Sequence, residues 1–152
     1  MHKSSGLQTR RSTLSGVSLI EVMVSLVILS IGLLGVAAMQ IKALQNNMSA
    51  GERSMAVIQA YSILDAMRSN LTVARNGGYA YARSDECTVP TGTNQASRDL
   101  ALWLSAIHQD LGKSACGNVD CLNGRCNIRV FWNDTRGTGG AKEQFVEIGA
   151  IL

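Results

Sequence analysis

Apolar and polar positions follow different rules in successive parts of this chain. From position 17 to position 39 (VSLIEVMVSLVILSIGLLGVAAM) the residues are almost wholly apolar, with one charge, Glu21, near the start. A helix rising about 1.5 Å per residue makes this run about 35 Å long, enough to cross a hydrocarbon core of about 30 Å. Beyond it, Ile41, Leu44, Met48, Met55, Ile58, Tyr61, Leu64, Met67 and Leu71 recur at helical spacing, with polar residues between them and no proline. The pattern predicts one helix from about 17 to about 75, near 85 Å at helical rise. Its first half is apolar all round and its second half amphipathic, so the second half has to lie on something, most simply a sheet of its own domain. Gly77-Gly78 ends the pattern.

The remainder alternates between turn signals and short periodic stretches. Positions 78–93 read as a loop containing the single proline, Pro90, and Cys87. A second helix follows, with Ser97 as expected N-cap, Asp99 in its first turn, and Leu100, Trp103, Leu104, Ile107 and Leu111 on one face before Gly112. Trp103 reads as a core anchor and His108 as a surface or capping residue. In the tail, Ile128, Val130 and Trp132 alternate with polar residues, 133–140 is turn-rich, and 145–152 is again strand-like. This predicts an antiparallel hairpin, marginal by itself and in need of a third strand or of the long helix. Positions 117–126, with Asn123-Gly124 between two cysteines, read as a tight turn leading into the first strand. The fold class is therefore α+β: one long N-terminal helix on a small antiparallel sheet, with a second short helix.

Charge and cysteines sharpen the picture. The formal charge is +3, but three of the basic residues, Lys3, Arg10 and Arg11, precede the apolar run. Without them the chain has as many basic as acidic residues and no basic cluster, which argues against a nucleic-acid partner. The same three cations hold the N-terminus on the cytoplasmic side. Cys87, Cys116, Cys121 and Cys126 would then lie in an oxidising compartment and read as two disulfides. Four cysteines allow three connectivities; proximity along the chain favours joining Cys121 to Cys126 and Cys87 to Cys116. Metal binding is not expected, because zinc sites use shorter cysteine spacing and no histidine stands nearby. No Ser/His/Asp arrangement or phosphate loop occurs, so no enzyme, cofactor or small-molecule substrate is expected. Asp134 and Glu143 read as isolated, solvated acids.

Gly16, followed by any four residues, Glu21 and an apolar run, resembles the processing site of type IV prepilins. The resemblance implies cleavage by a prepilin peptidase between Gly16 and Val17, N-methylation of Val17, and Glu21 as fifth residue of the mature chain. The family usually has phenylalanine where this chain has Val17. In the family the glutamate is thought to pair with the N-terminal amine of a neighbouring subunit; a buried cation and a buried carboxylate are tolerable only together. The chain then divides into a leader (1–16), a transmembrane and assembly half-helix (17–40), an amphipathic half-helix (41–76) and a soluble α+β head (77–152). Gly32, Gly35 and Gly51 each cost about 1 kcal/mol against alanine in a helix. All three read as sites of close helix packing; by the resemblance, Gly32 and Gly35 read alternatively as a section that loosens on entry into a fibre.

The run IEVMVSLVILSIGLLGVAAMQ, the helix DLALWLSAI and the strand VFWND are similar to the minor pilins called type IV pilus modification proteins, or PilV type. This implies a subunit in the inner membrane with a periplasmic head, then in the pilus fibre or at its tip, with other minor and major pilins as partners. Two alternatives are a minor pseudopilin of type II secretion and a tip adhesin or DNA-capture pilin. A plain signal anchor, or a secretory signal cut after Ala38, accounts less well for the length of the run and for Glu21 within it.

Overall fold

A computed structural model describes residues 16–152; the expected leader, apart from Gly16, lies outside the described residues. The elements in order are α1 (Leu19–Ser69), α2 (Leu71–Arg75), α3 (Gln95–Leu111), β1 (Cys116–Leu122), β2 (Arg125–Trp132) and β3 (Gln144–Ile151). This is the α+β, pilin-like arrangement expected. The chain divides into two compact units, one ending at Gln40 and the other running Ile41–Leu152. In the first unit every described residue is exposed. Its helical residues belong to the one helix, among those described, that is long and apolar enough to cross a membrane.

The second unit, the head, builds its core from three sources. The helical segment after Ile41 contributes Ala56, Ala60, Ile63, Leu64 and Met67; α3 contributes Leu100, Trp103, Leu104, Ile107 and Leu111; the sheet contributes Val119, Ile128, Val130 and Trp132. Trp103 joins them. Its indole N–H donates to the Gln59 carbonyl at 2.8 Å, and its ring lies so close over β1 that a Cβ at Gly117 would come within 2.2 Å of it. A full ring occupies the space that a side chain on this strand would fill, which fixes glycine there.

The sheet is antiparallel in the order β1-β2-β3. The segment expected to be a tight turn before the first strand is itself mostly a strand, β1, and supplies the third strand the hairpin required. Only Asn123 and Gly124 turn, with φ of 50° and 77°. Two central residues with positive φ make a two-residue hairpin loop whose twist matches the flanking strands. The register then pairs Cys121 with Cys126 and, across β2, Phe131 with Phe145. Disulfides join Cys121 to Cys126 and Cys87 to Cys116.

Two helix boundaries differ from expectation. The long helix stops at Ser69 rather than near 75, because Asn70 leaves helical geometry (φ −128°, ψ 54°) and starts α2. This turn carries Tyr79, inside the expected loop, into the core, where it is fully buried. The second helix begins three residues early: Asn94, not Ser97, is the N-cap, and its side chain accepts from the Ser97 backbone N–H at 2.8 Å. Asp99 therefore sits beyond the first turn. It accepts instead from the Tyr79 hydroxyl at 2.5 Å.

Burial, and then the hydrogen bond to Asp99, raise the Tyr79 pKa above 10.0. A pKa raised on folding means that the folded state holds the proton more tightly. The Tyr79 contribution is therefore intact below about pH 10 and lost as pH climbs through the folded value. Thermal unfolding followed between pH 8 and 11.5 should show an alkaline loss that Tyr79→Phe reduces; an identical alkaline loss in both proteins would remove this assignment. Gly117→Ala should cost about 1–3 kcal/mol in denaturant unfolding, as overpacking does. An unchanged midpoint would show that the Trp103 ring yields freely.

Candidate assembly segment

The junction at the head of the apolar run is open and non-helical. Gly16 and Val17 precede the helix, and Val17 is 70% exposed. The helix starts at Leu19, two residues later than expected, and the Ser18 carbonyl accepts from the Glu21 and Val22 backbone N–H groups at 3.0 and 3.2 Å. Glu21 thus occupies the first turn, where a negative charge suits the helix dipole. Gly16, Val17 and Glu21 come together around one helix start, as the sequence placed them. The four cysteines lie apart, in the head.

Polar groups within the apolar run differ in how they are satisfied. The hydroxyls of Ser25 and Ser30 donate to the carbonyls of Glu21 and Leu26, at 2.6 and 2.7 Å, one turn back. Such internal bonds let a hydroxyl sit in hydrocarbon. The Glu21 carboxylate has no counterpart of this kind. The ion pairs of the described residues join Asp65 to Arg68, Glu143 to Arg83, Glu147 to Arg129 and Glu52 to Arg136. None of these pairs, among the described residues, includes Glu21.

The apolar stripe after Gln40 is where the structure corrects the expectation most. Ile41, Leu44, Met48, Met55, Ile58 and Tyr61 do not face the sheet; all are exposed. With Gly51 included, positions 41, 44, 48, 51, 55 and 58 alternate steps of three and four, the spacing of a helix-packing seam. The head-facing side starts from Gln45, Ser49, Glu52, Ala56, Gln59, Ala60 and Ile63, and of the expected stripe Leu64 and Met67 join it in the core. Its small Ala56 and Ala60 lower its apparent hydrophobicity. A Cβ on Gly32, Gly35 or Gly51 would meet nothing within 4 Å, and the helix passes through all three unbroken.

The polar start of the head-facing stripe is held by the connection between β2 and β3. Ser49 donates to the Asp134 carboxylate at 2.7 Å, Arg136 pairs with Glu52, and Thr138 donates to Gln45 at 3.3 Å. Asp134, expected to be solvated, is buried at 7% exposure. Glu143, also expected to be solvated, is bridged to Arg83 at 2.8 Å, and that bond holds its carboxyl below the usual range. Neither contact is visible in sequence, because each joins residues far apart in the chain. Elsewhere, a shallow groove of about 300 Å³ runs between the helical segment and α3, lined by Ile63, Ala66, Leu102 and Trp103 among others. No group of three metal-ligating side chains occurs among the described residues.

With this geometry in place, comparison with known proteins gives one match: the model of the prokaryotic N-terminal methylation motif, over residues 12–37. That span contains Gly16, Val17, Glu21 and the start of the exposed apolar helix. The motif is the leader of type IV pilin-like chains and indicates a pilin-like or pseudopilin protein. No curated protein and no solved structure matches the chain.

If the two stripes of the helical segment are assigned correctly, Met55→Gln should change head stability by less than about 0.5 kcal/mol. Ala60→Leu should cost about 1–3 kcal/mol by overpacking. Unfolding of the full chain in detergent measures both, and equal effects would mean that the stripes are misassigned.

Proposed function

We propose that the chain is a minor pilin of the PilV type that takes part in type IV pilus assembly or its initiation. The observation that carries this reading is the methylation motif at the start of an exposed apolar run whose only charge, Glu21, has no ion-pair partner among the described residues. In this mechanism the leader keeps the N-terminus cytoplasmic until a prepilin peptidase cuts between Gly16 and Val17. The freed, methylated amine of one subunit then meets Glu21 of another as the helix moves from the inner membrane into the fibre, among other minor and major pilins. The seam from Ile41 to Ile58 supports this, since it extends the contact surface of the helix beyond the hydrocarbon. The role is structural rather than catalytic.

A second reading, a minor pseudopilin of type II secretion, shares the motif and the same steps. A tip adhesin or DNA-capture role is less favoured, because the mature chain has no excess of basic residues.

Intact-mass and N-terminal analysis of protein from its native membrane should find a chain beginning at Val17, with one added methyl and four hydrogens fewer than the reduced form. A chain beginning at Met1, or after Ala38, would end the pilin reading. Glu21→Ala should leave cleavage largely intact while reducing incorporation at least tenfold. Normal incorporation would overturn the pairing. Deletion separates the two readings: loss of surface motility favours the pilus, and loss of protein secretion favours the secretion system.

A further inference from the structure

The two edges of the head's sheet are treated differently. The β1 edge is blocked at its middle by one bridge: Tyr81 and Val119 exchange two backbone hydrogen bonds, Tyr81 N–H to Val119 at 2.9 Å and the reverse at 2.8 Å. The disulfide from Cys87 to Cys116 ties the same loop down beside that strand. The β3 edge is open. Its residues pair with β2 continuously from Gln144 to Ile151, and no backbone partner on its other side occurs among the described residues.

An unpaired edge strand is a template for another strand, and proteins commonly blunt such edges with proline, lysine, bulges or short length. β3 has none of these. It is eight residues long, its register is unbroken, and its one charge, Glu147, is engaged by Arg129 on β2. Its inward side chains, Val146, Ile148 and Ala150, pack against the core but stay half-buried. The core is therefore unfinished on this side.

We infer that the β3 edge accepts an extended strand from a different polypeptide, which completes the sheet and covers Val146, Ile148 and Ala150. The chemistry of the edge defines the occupant. Its backbone must be free of proline over about six residues to use the open donors and acceptors. Its alternate side chains must be apolar, to continue the inner face, and none may be acidic opposite Glu147. A second copy adding head to tail would have to offer its β1 edge, which Tyr81 occupies. Two copies can instead pair β3 with β3 in antiparallel register, Phe145 facing Ile151 and Ile148 facing itself. That pairing turns the two Ile41 ends in opposite directions, whereas chains anchored in one membrane present them the same way. The open edge is read from the sheet alone, while the exclusion of a second copy rests on the membrane anchoring of the proposed function.

The test uses the full chain in detergent and a capped peptide of alternating valine and threonine with a lysine at each end; its control carries a central proline. Residue-resolved amide exchange should slow at least tenfold in β3, saturably, with the first peptide and not with the control, while β1 is unaffected. No slowing in β3, or equal slowing in β1, would overturn the inference. A concentration-dependent dimer of the chain alone with β3 protected would also overturn it, since the edge would then close on a second copy. Gly149→Lys adds an edge charge where a Cβ meets nothing closer than 3.5 Å. It should weaken the peptide's effect at least tenfold with the melting temperature unchanged; an undiminished effect counts against the edge. If that variant misfolds, the comparison of the two peptides on the unaltered chain decides.

Discussion

The indole of Trp103 is the contact on which the head depends. Its ring lies against the bare backbone of Gly117 on β1, and its N–H bonds the Gln59 carbonyl of the long helix. One side chain on α3 thus sets both the distance to the sheet and the position of the helix segment. A helix carbonyl that accepts from a buried side chain is specified in a way that apolar contact alone cannot achieve, because the bond has a direction and an unmet partner is costly. The second polar tie between these helices, Gln59 donating to Asp110 at 2.7 Å, reinforces the same alignment. Gln59 is the one buried polar residue of the helix, and both its side-chain amide nitrogen and its backbone carbonyl are engaged.

Fixing the helix by this face determines what is left uncovered. A helix has room for about one apolar face of a hundred degrees or so against a small sheet. The head takes the face of Ala56, Ala60, Ile63 and Met67, so the stripe of Ile41, Leu44, Met48, Met55 and Ile58 is left in solvent. Exposed apolar residues in ones and twos need no explanation. A register sustained over five turns and continuous in sequence with a wholly exposed apolar run is an extended apolar surface of a different kind. Within that run the Glu21 carboxylate, its one charge, has no internal hydrogen bond of the kind Ser25 and Ser30 have among the described residues.

Much of this was legible from sequence, and the failures are physically specific. Apolar length locates the long apolar helix, and period locates α3 and the strand of Ile128, Val130 and Trp132, because each is a local pattern. The junction of Gly16, Val17 and Glu21 was legible for the same reason. The facing of the second half of the long helix was not: periodicity reports that apolar residues share a side, not which side the domain covers. Large residues drew attention to the exposed stripe, while Ala56 and Ala60, which allow close approach, carried the contact. Likewise the Asn123-Gly124 turn was recognised but the strand before it was not, since Gly117, Asn118 and Asp120 have weak strand propensity and are held by pairing with β2. The ties from Ser49, Glu52 and Gln45 to the 133–140 connection were beyond reach, since each closes a span of more than eighty residues.

Those ties bear on how the chain could change shape. Gly32, Gly35 and Gly51 are the positions at which the long helix is intrinsically weakest, yet they are not equivalent. Gly51 sits between Ser49 and Glu52, both held by the β2 to β3 connection, and Asp134 is buried where it accepts from Ser49. Unwinding at Gly51 would leave that carboxylate without its donor, a penalty of about 1–3 kcal/mol for a buried group, added to the helix bonds themselves. Gly32 and Gly35 have no such tether; a Cβ on either meets open space. Of the three glycines, Gly51 is therefore the one at which unwinding would also cost a tether to the head.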